Sequence, residues 1–145
     1  MITGGTKISI IGAGYVGGTY AFDLVLSGLA RELVLVDKDG DKAESQAMDL
    51  NHGLSFTVPV DIHAGSFEDC SGSDLVVITA GAAQKPGQSR LDLVGKNAEI
   101  FEQIVPEISR HAPDCIMLVV TNPVDVLTYA ALELSGFQQG RVIGS

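Results

Sequence analysis

Six residues, Gly12-Ala13-Gly14-Tyr15-Val16-Gly17, stand between an apolar run at Lys7–Ile11 and a helical stretch at Tyr15–Ser27. Few short segments restrict a fold as tightly. A strand that passes into a helix through glycines at the first, third and sixth positions is the opening turn of a βαβ unit built to face a dinucleotide. Gly12 permits the tight turn, Gly14 lets the backbone approach a diphosphate, and Gly17 lets the helix pack close to the strand. The N–H groups of Tyr15 and Val16 then sit at the positive end of the helix and are the expected phosphate donors. With 17 glycines in 145 residues the spacing alone is weak; its place between strand and helix gives it weight.

A second signal lies in register with the first. Asp37 follows the next apolar run, Leu33–Val36, 20 residues beyond Gly17. A carboxylate there accepts the ribose hydroxyls of an adenosine and repels a 2′-phosphate, so NAD is expected over NADP. Lys38, next in sequence, is a cation that would soften that preference.

The rest of the chain repeats the same alternation. Apolar runs at Ile8–Ile11, Leu33–Val36, Val60–Ala64, Leu75–Thr79, Ile116–Val120 and Val142–Gly144 are continuous rather than alternating, which suits strands covered on both faces. Helical stretches separate most of them. Tyr15–Ser27 carries Val16, Tyr20, Leu24 and Ser27 on one side and stops at Gly28. Asp41–Asn51 carries Ala43, Ala47 and Leu50. Asp92–His111 carries Ile100, Ile104 and Ile108, with a bend expected at Pro106. Asp125–Leu134 is the last. These elements predict one α/β domain over residues 1–145, a Rossmann fold with a doubly wound, six-stranded parallel sheet in the order 3-2-1-4-5-6.

Composition narrows the function classes. The net charge of −9 opposes binding to nucleic acid or an anionic membrane, and the longest apolar run, Ile116–Val120, is too short to span a bilayer. Cys70 and Cys115 have no metal-ligand spacing, so no metal site is expected; buried, reduced thiols in a cytoplasmic protein fit better.

Four further segments carry a resemblance. Thr79-Ala80-Gly81-Ala82-Ala83-Gln84-Lys85-Pro86-Gly87-Gln88-Ser89-Arg90-Leu91-Asp92-Leu93 is similar to the mobile loop of the lactate/malate dehydrogenase family. Thr121-Asn122-Pro123-Val124-Asp125 resembles that family's segment after the fifth strand. Met48-Asp49-Leu50-Asn51-His52-Gly53 and Arg141-Val142-Ile143-Gly144-Ser145 resemble it too, in order along the chain. The resemblance implies an NAD-dependent oxidoreductase acting on a small 2-oxo or 2-hydroxy acid, in a homo-oligomer. Arg90 matches the loop arginine that polarises the substrate carbonyl. Gln84 matches the position that selects the substrate side chain; glutamine there, rather than arginine, implies pyruvate and lactate over malate and oxaloacetate. Asn122 and Asp125 fall on the substrate side. Gly81, Ala82, Val120, Thr121, Asn122 and Ser145 match cofactor positions, as do Lys42 and Phe67 on the adenine side. For Lys42 a solvated helix face, and for Phe67 core packing, explain the residue equally well.

The same resemblance marks what these residues do not supply. His52, His63 and His111 lie outside the family's His-Gly-Asp context and are expected to be structural. The family's acid/base histidine, its aspartate partner and the substrate-carboxylate arginine lie C-terminal to the matched stretch. Without a proton donor the chain alone is expected to hold cofactor and not to turn over. Apolar surface left uncovered is expected to promote self-association. Malate dehydrogenase chemistry, a non-catalytic dinucleotide-binding module and a metal-requiring NAD-dependent glycosidase stand as alternatives. Asp23, inside the first helix, has no functional explanation.

Overall fold

The structure, a computed structural model, describes residues 5–83, 87 and 89–145, with Arg90 described by its backbone alone. Six strands form one sheet: β1 (Thr6–Ile11), β2 (Ala30–Val36), β3 (Asp61–Ala64), β4 (Leu75–Ile78), β5 (Ile116–Val119) and β6 (Val142–Gly144). Their order is β3-β2-β1-β4-β5-β6 and every pairing is parallel, as the alternation predicts. In register, Ile10 of β1 lies between Leu35 of β2 and Val77 of β4. Four helices supply the crossovers: α1 (Tyr15–Ser27), α2 (Gly40–Gly53), α3 (Arg90–His111) and α4 (Val124–Ser135).

Both faces of the sheet are covered, so successive residues of a strand enter different cores. Ile8, Ile10, Leu33, Leu35 and Val77 pack under α1 and α2. Ile11, Val34, Val36, Val76 and Ile78 pack under α3 and α4. Full burial of side chains this size stabilises by roughly 1.5–3 kcal/mol each, and the two-sided demand produces the unbroken apolar runs. Ser9, fully buried on the α3–α4 side, shares a 2.8 Å hydrogen bond with Ser73.

Helix boundaries follow local chemistry. Gly28 ends α1 at φ 65°, its N–H directed to the Leu24 and Val25 carbonyls. Asp39 caps α2 by accepting from the Lys42 N–H. Ser89 and Asp92 form a reciprocal capping box that starts α3 two residues before the expected Asp92. The helix runs through the exposed Pro106 as one element.

Two inward faces differ from expectation. On α1 the buried residues are Gly17, Ala21, Leu24 and Val25, whereas Val16 is exposed. Gly17 brings the helix so close to the strand that only small residues fit beneath its first turns. On α3 the buried line is Asn97, Phe101, Val105 and Ile108, with Ile100 and Ile104 only partly covered.

Cys70 and Cys115 are free and fully buried in the α3–α4 core. Burial pushes the Cys115 thiol up to about 11, against the opposing charge of Arg141, and raises Cys70 as well. On the outer side, a groove of about 520 Å³ runs between α1 and α2, lined by Phe22, Val25, Leu26, Leu50, Phe56 and Thr57 among others. Among the described residues, no helix is long and apolar enough to cross a membrane.

Candidate functional site

The strand order reverses between β1 and β4, the switch point at which folds of this kind form a ligand crevice between the loops leaving the C-terminal ends of the strands. The three glycines of the opening turn meet different constraints. Gly12 has φ 108°, and a Cβ there would lie 2.6 Å from the Ala80 nitrogen. Its own N–H donates to the Val36 carbonyl at 2.7 Å, tying β1 to β2 at the mouth of the crevice. A Cβ on Gly17 would collide with the Gly12 carbonyl oxygen and lie 2.7 Å from Thr79 Oγ1. That hydroxyl donates to the Gly12 carbonyl at 2.7 Å, so the turn is fixed from the β4 side.

Gly14 is different. Its φ of −78° and ψ of −167° suit any residue, and a Cβ would meet nothing closer than Lys42 Nζ at 3.7 Å. No internal contact requires glycine there. The demand for a bare backbone comes from outside, where a ligand would approach. Gly14 is also the N-cap of α1, and no side chain caps that end or places a carboxylate in its first turn. Tyr15 and Val16, 99% and 56% exposed, follow it. The helix start is thus left to donate its N–H groups outward, as an anion site requires.

Asp37 closes this side. Its Oδ2 accepts from the Ala13 N–H at 2.7 Å and lies 3.6 Å from Lys42 Nζ, while its Oδ1 accepts from the Asp39 N–H at 3.0 Å. The carboxylate shapes the turn, and its side chain is 9% exposed. Lys42, its side chain 46% exposed, thus lies on the solvated face of α2 with its ammonium turned toward that carboxylate. Phe67 is half-buried against the α3–α4 core, consistent with core packing.

The opposite wall is stitched together by side chains. Thr121 Oγ1 donates to the Ala80 carbonyl at 2.8 Å. Asn97, 1% exposed on α3, accepts from the Ala82 N–H at 2.7 Å and donates through Nδ2 to the Asn122 carbonyl at 2.9 Å. One amide thereby joins the loop after β4 to the loop after β5. Gly81 fits because a Cβ would lie 2.5 Å from Thr121 Cγ2. Val120 and Ser145 lie at the ends of β5 and β6, the Ser145 N–H donating to the Val119 carbonyl at 3.1 Å. Asn122 is exposed at the rim, and Asp125 is in the first turn of α4. Gln84 lies outside the described residues, and Arg90 is placed only as the first residue of α3.

The described geometry fits a dinucleotide: a glycine cradle at an uncapped helix start, a carboxylate beside it, and a second wall of backbone groups. Asn97 and Thr79 were not singled out in the sequence, and Thr121 was expected there only as a cofactor position, not as a tie to Ala80. For Asn97 the available signal was its spacing with Phe101, Val105 and Ile108, which puts an amide on an apolar face. The three histidines lie elsewhere. His63 Nε2 is 3.3 Å from Glu32 Oε1, His111 Nε2 is 3.7 Å from Glu107 Oε2, and His52 is in the last turn of α2.

Comparison with known proteins agrees with this architecture. Residues 6–144 match the family model for the lactate/malate dehydrogenase NAD-binding domain. The chain is 55% identical to an L-lactate dehydrogenase of Acetivibrio thermocellus over 139 residues, covering 96% of this chain and 44% of that protein. It is 57% identical to L-lactate dehydrogenase 1 of Clostridium acetobutylicum, covering 97% and 45%. Among solved structures, the minor L-lactate dehydrogenase of Enterococcus mundtii superimposes with a TM-score of 0.93 at 44% identity, covering 97% of this chain and 45% of that one. The malate dehydrogenase of Picrophilus torridus gives 0.91 at 36% identity, with the same coverages. The chain thus spans somewhat under half the length of these relatives.

Proposed function

We propose, from the premise that this chain belongs to the lactate/malate dehydrogenase family through its NAD-binding domain, that it is the cofactor-binding half of an NAD-dependent L-lactate dehydrogenase. The observation that carries the reading is Gly14: an unstrained glycine that no internal contact requires, on an uncapped helix start beside Asp37. The NAD-dependent glycosidase alternative has no support in this family membership. Lactate is favoured over malate chemistry by Gln84 and by the higher identity to the two named L-lactate dehydrogenases than to the malate dehydrogenase.

In this reading NADH, when bound, supplies the hydride for reduction of pyruvate. The N–H groups of Tyr15 and Val16 hold phosphate oxygens, and Asp37 accepts the adenosine ribose hydroxyls. Lys42 and Phe67 border the adenine side, and Gly81, Ala82, Val120, Thr121 and Ser145 border the cofactor on the opposite wall. Arg90 stabilises charge developing on the substrate carbonyl oxygen. Gln84 leaves room for a methyl group, while Asn122 and Asp125 border the substrate.

Residues 1–145 act as one domain in this scheme, and the family's acid/base histidine belongs to the part of the relatives that the chain does not span. None of His52, His63 and His111 borders the crevice to replace it, so the 145 residues alone are expected to bind NADH without reducing pyruvate. The apolar groove between α1 and α2 fits a homo-oligomer, and the two buried, free thiols fit a reducing cytoplasm.

An NADH fluorescence titration beside a turnover assay tests the reading. Binding in the micromolar to low millimolar range without turnover is expected, and no binding at millimolar NADH overturns it. In the full-length protein, Gln84→Arg is expected to raise the rate with oxaloacetate relative to pyruvate by at least tenfold. An unchanged ratio removes Gln84 from substrate selection.

A further inference from the structure

Lys42 occupies an electrostatically awkward position. It is the third residue of α2, after the Asp39 cap, where a cation faces the positive end of the helix dipole. Its backbone N–H is held by Asp39 Oδ1 at 3.3 Å, while its ammonium reaches back to 3.6 Å from Asp37 Oδ2 and 3.7 Å from the Cβ position of Gly14. The side chain is 46% exposed, so core packing does not hold it there. The cation that shares space with Asp37 is therefore one helical turn along α2, not the adjacent Lys38 that sequence order suggests.

Asp37 offers about four lone-pair positions. The Ala13 and Asp39 N–H groups use two, and the Lys42 ammonium stands at a third, on Oδ2. Acceptance of two ribose hydroxyls requires the ammonium to give way. It then remains within a few ångströms of the carboxylate as a mobile counter-charge. A 2′-phosphate replaces one of those hydroxyls and brings nearly two negative charges beside Asp37. The protein's net charge of −9 gives no help at long range, so a local cation must offset the repulsion.

We propose that Lys42 sets the margin by which this crevice prefers NADH to NADPH, its ammonium giving the 2′-phosphorylated dinucleotide a residual affinity that Asp37 alone would abolish. The proposal rests on the reading that the glycine turn and Asp37 hold NAD.

The test measures dissociation constants for NADH and NADPH by nicotinamide fluorescence, in the unaltered protein and in Lys42→Gln. NADPH binding is expected to weaken about tenfold and NADH binding by no more than about threefold, widening the ratio. Equal weakening of both would mean that Lys42 senses only the shared diphosphate, and overturns the proposal. So does an unmoved ratio, or the absence of NADPH binding to the unaltered protein at millimolar concentration. Asp37→Asn is the second arm: it should narrow the ratio while Lys42 is present, and Asp37→Asn/Lys42→Gln should lose most of that gain. No NADH binding to the unaltered protein defeats the cofactor reading itself, an outcome distinct from NADH binding with an unmoved ratio.

Discussion

The two walls of the crevice are made rigid by opposite means. The wall after β1 owes its shape to missing atoms: Gly12 and Gly17 stand where a Cβ would strike backbone, and Gly14 leaves room for a ligand. The wall after β4 and β5 owes its shape to atoms that are present: Thr121 bonds Ala80, and Asn97 bonds Ala82 and Asn122. A wall made by removal is specified by neighbours in sequence. A wall made by side-chain bridges is specified by a residue on another element and depends on that element staying docked. The first should therefore fail by steric collision, and the second by loss of hydrogen bonding.

Three substitutions test that contrast. The largest effect is expected for Gly17→Ala, whose methyl would enter the space of the Gly12 carbonyl and Thr79. Urea unfolding should show a loss of about 3 kcal/mol or failure to fold. A loss below about 1 kcal/mol would show that the turn can relax. Asn97→Leu should cost about 2 kcal/mol, since it strands the Ala82 N–H and the Asn122 carbonyl. Hydrogen exchange at Ala82 should quicken more than at Ala13; equal effects at both would mean the two walls open together. Gly14→Ala should leave stability within about 0.5 kcal/mol, yet weaken NADH at least tenfold. Any comparable loss of stability would mean that Gly14, too, is needed internally.

The smallest effect concerns the far end of the sheet, away from both walls. A hydrogen bond from Lys7 holds the Glu32 carboxyl below its ordinary range, against the opposing effect of burial, and His63 adds to the lowering. Because the folded state lowers this pKa, its stabilisation is present above the unfolded value and fades as pH falls through the folded one. Glu32→Gln should reduce stability near neutral pH and lessen the decline of stability across the acid transition, without changing NADH affinity. An unchanged acid profile would assign the acid transition to other carboxylates.

Legibility in the sequence follows the same division. Strand order and the first wall were readable, because continuous apolar runs fix two-sided burial and glycine spacing fixes the turn. Asn97 was not, because an asparagine in a helix looks solvent-facing until Phe101, Val105 and Ile108, rather than Ile100 and Ile104, prove to define the buried line. The inner face of α1 was misassigned for a related reason: Gly17 and Ala21 contribute little hydrophobicity, yet the close approach they permit decides the rotation of the helix. Lys38 was weighed against Asp37 by adjacency, whereas a turn of helix brings Lys42 to the carboxylate.

The two sequestered thiols give the molecule its own clock. Cys70 and Cys115 cannot meet an alkylating reagent while the α3–α4 core is shut, and their raised pKa values leave little thiolate at neutral pH. Labelling must then wait for the core to open, so its rate counts opening events. A ligand gripped only by the closed form would slow that clock by a factor of one plus its concentration over Kd. Mass spectrometry of alkylated chains could thus measure cofactor affinity without an optical signal.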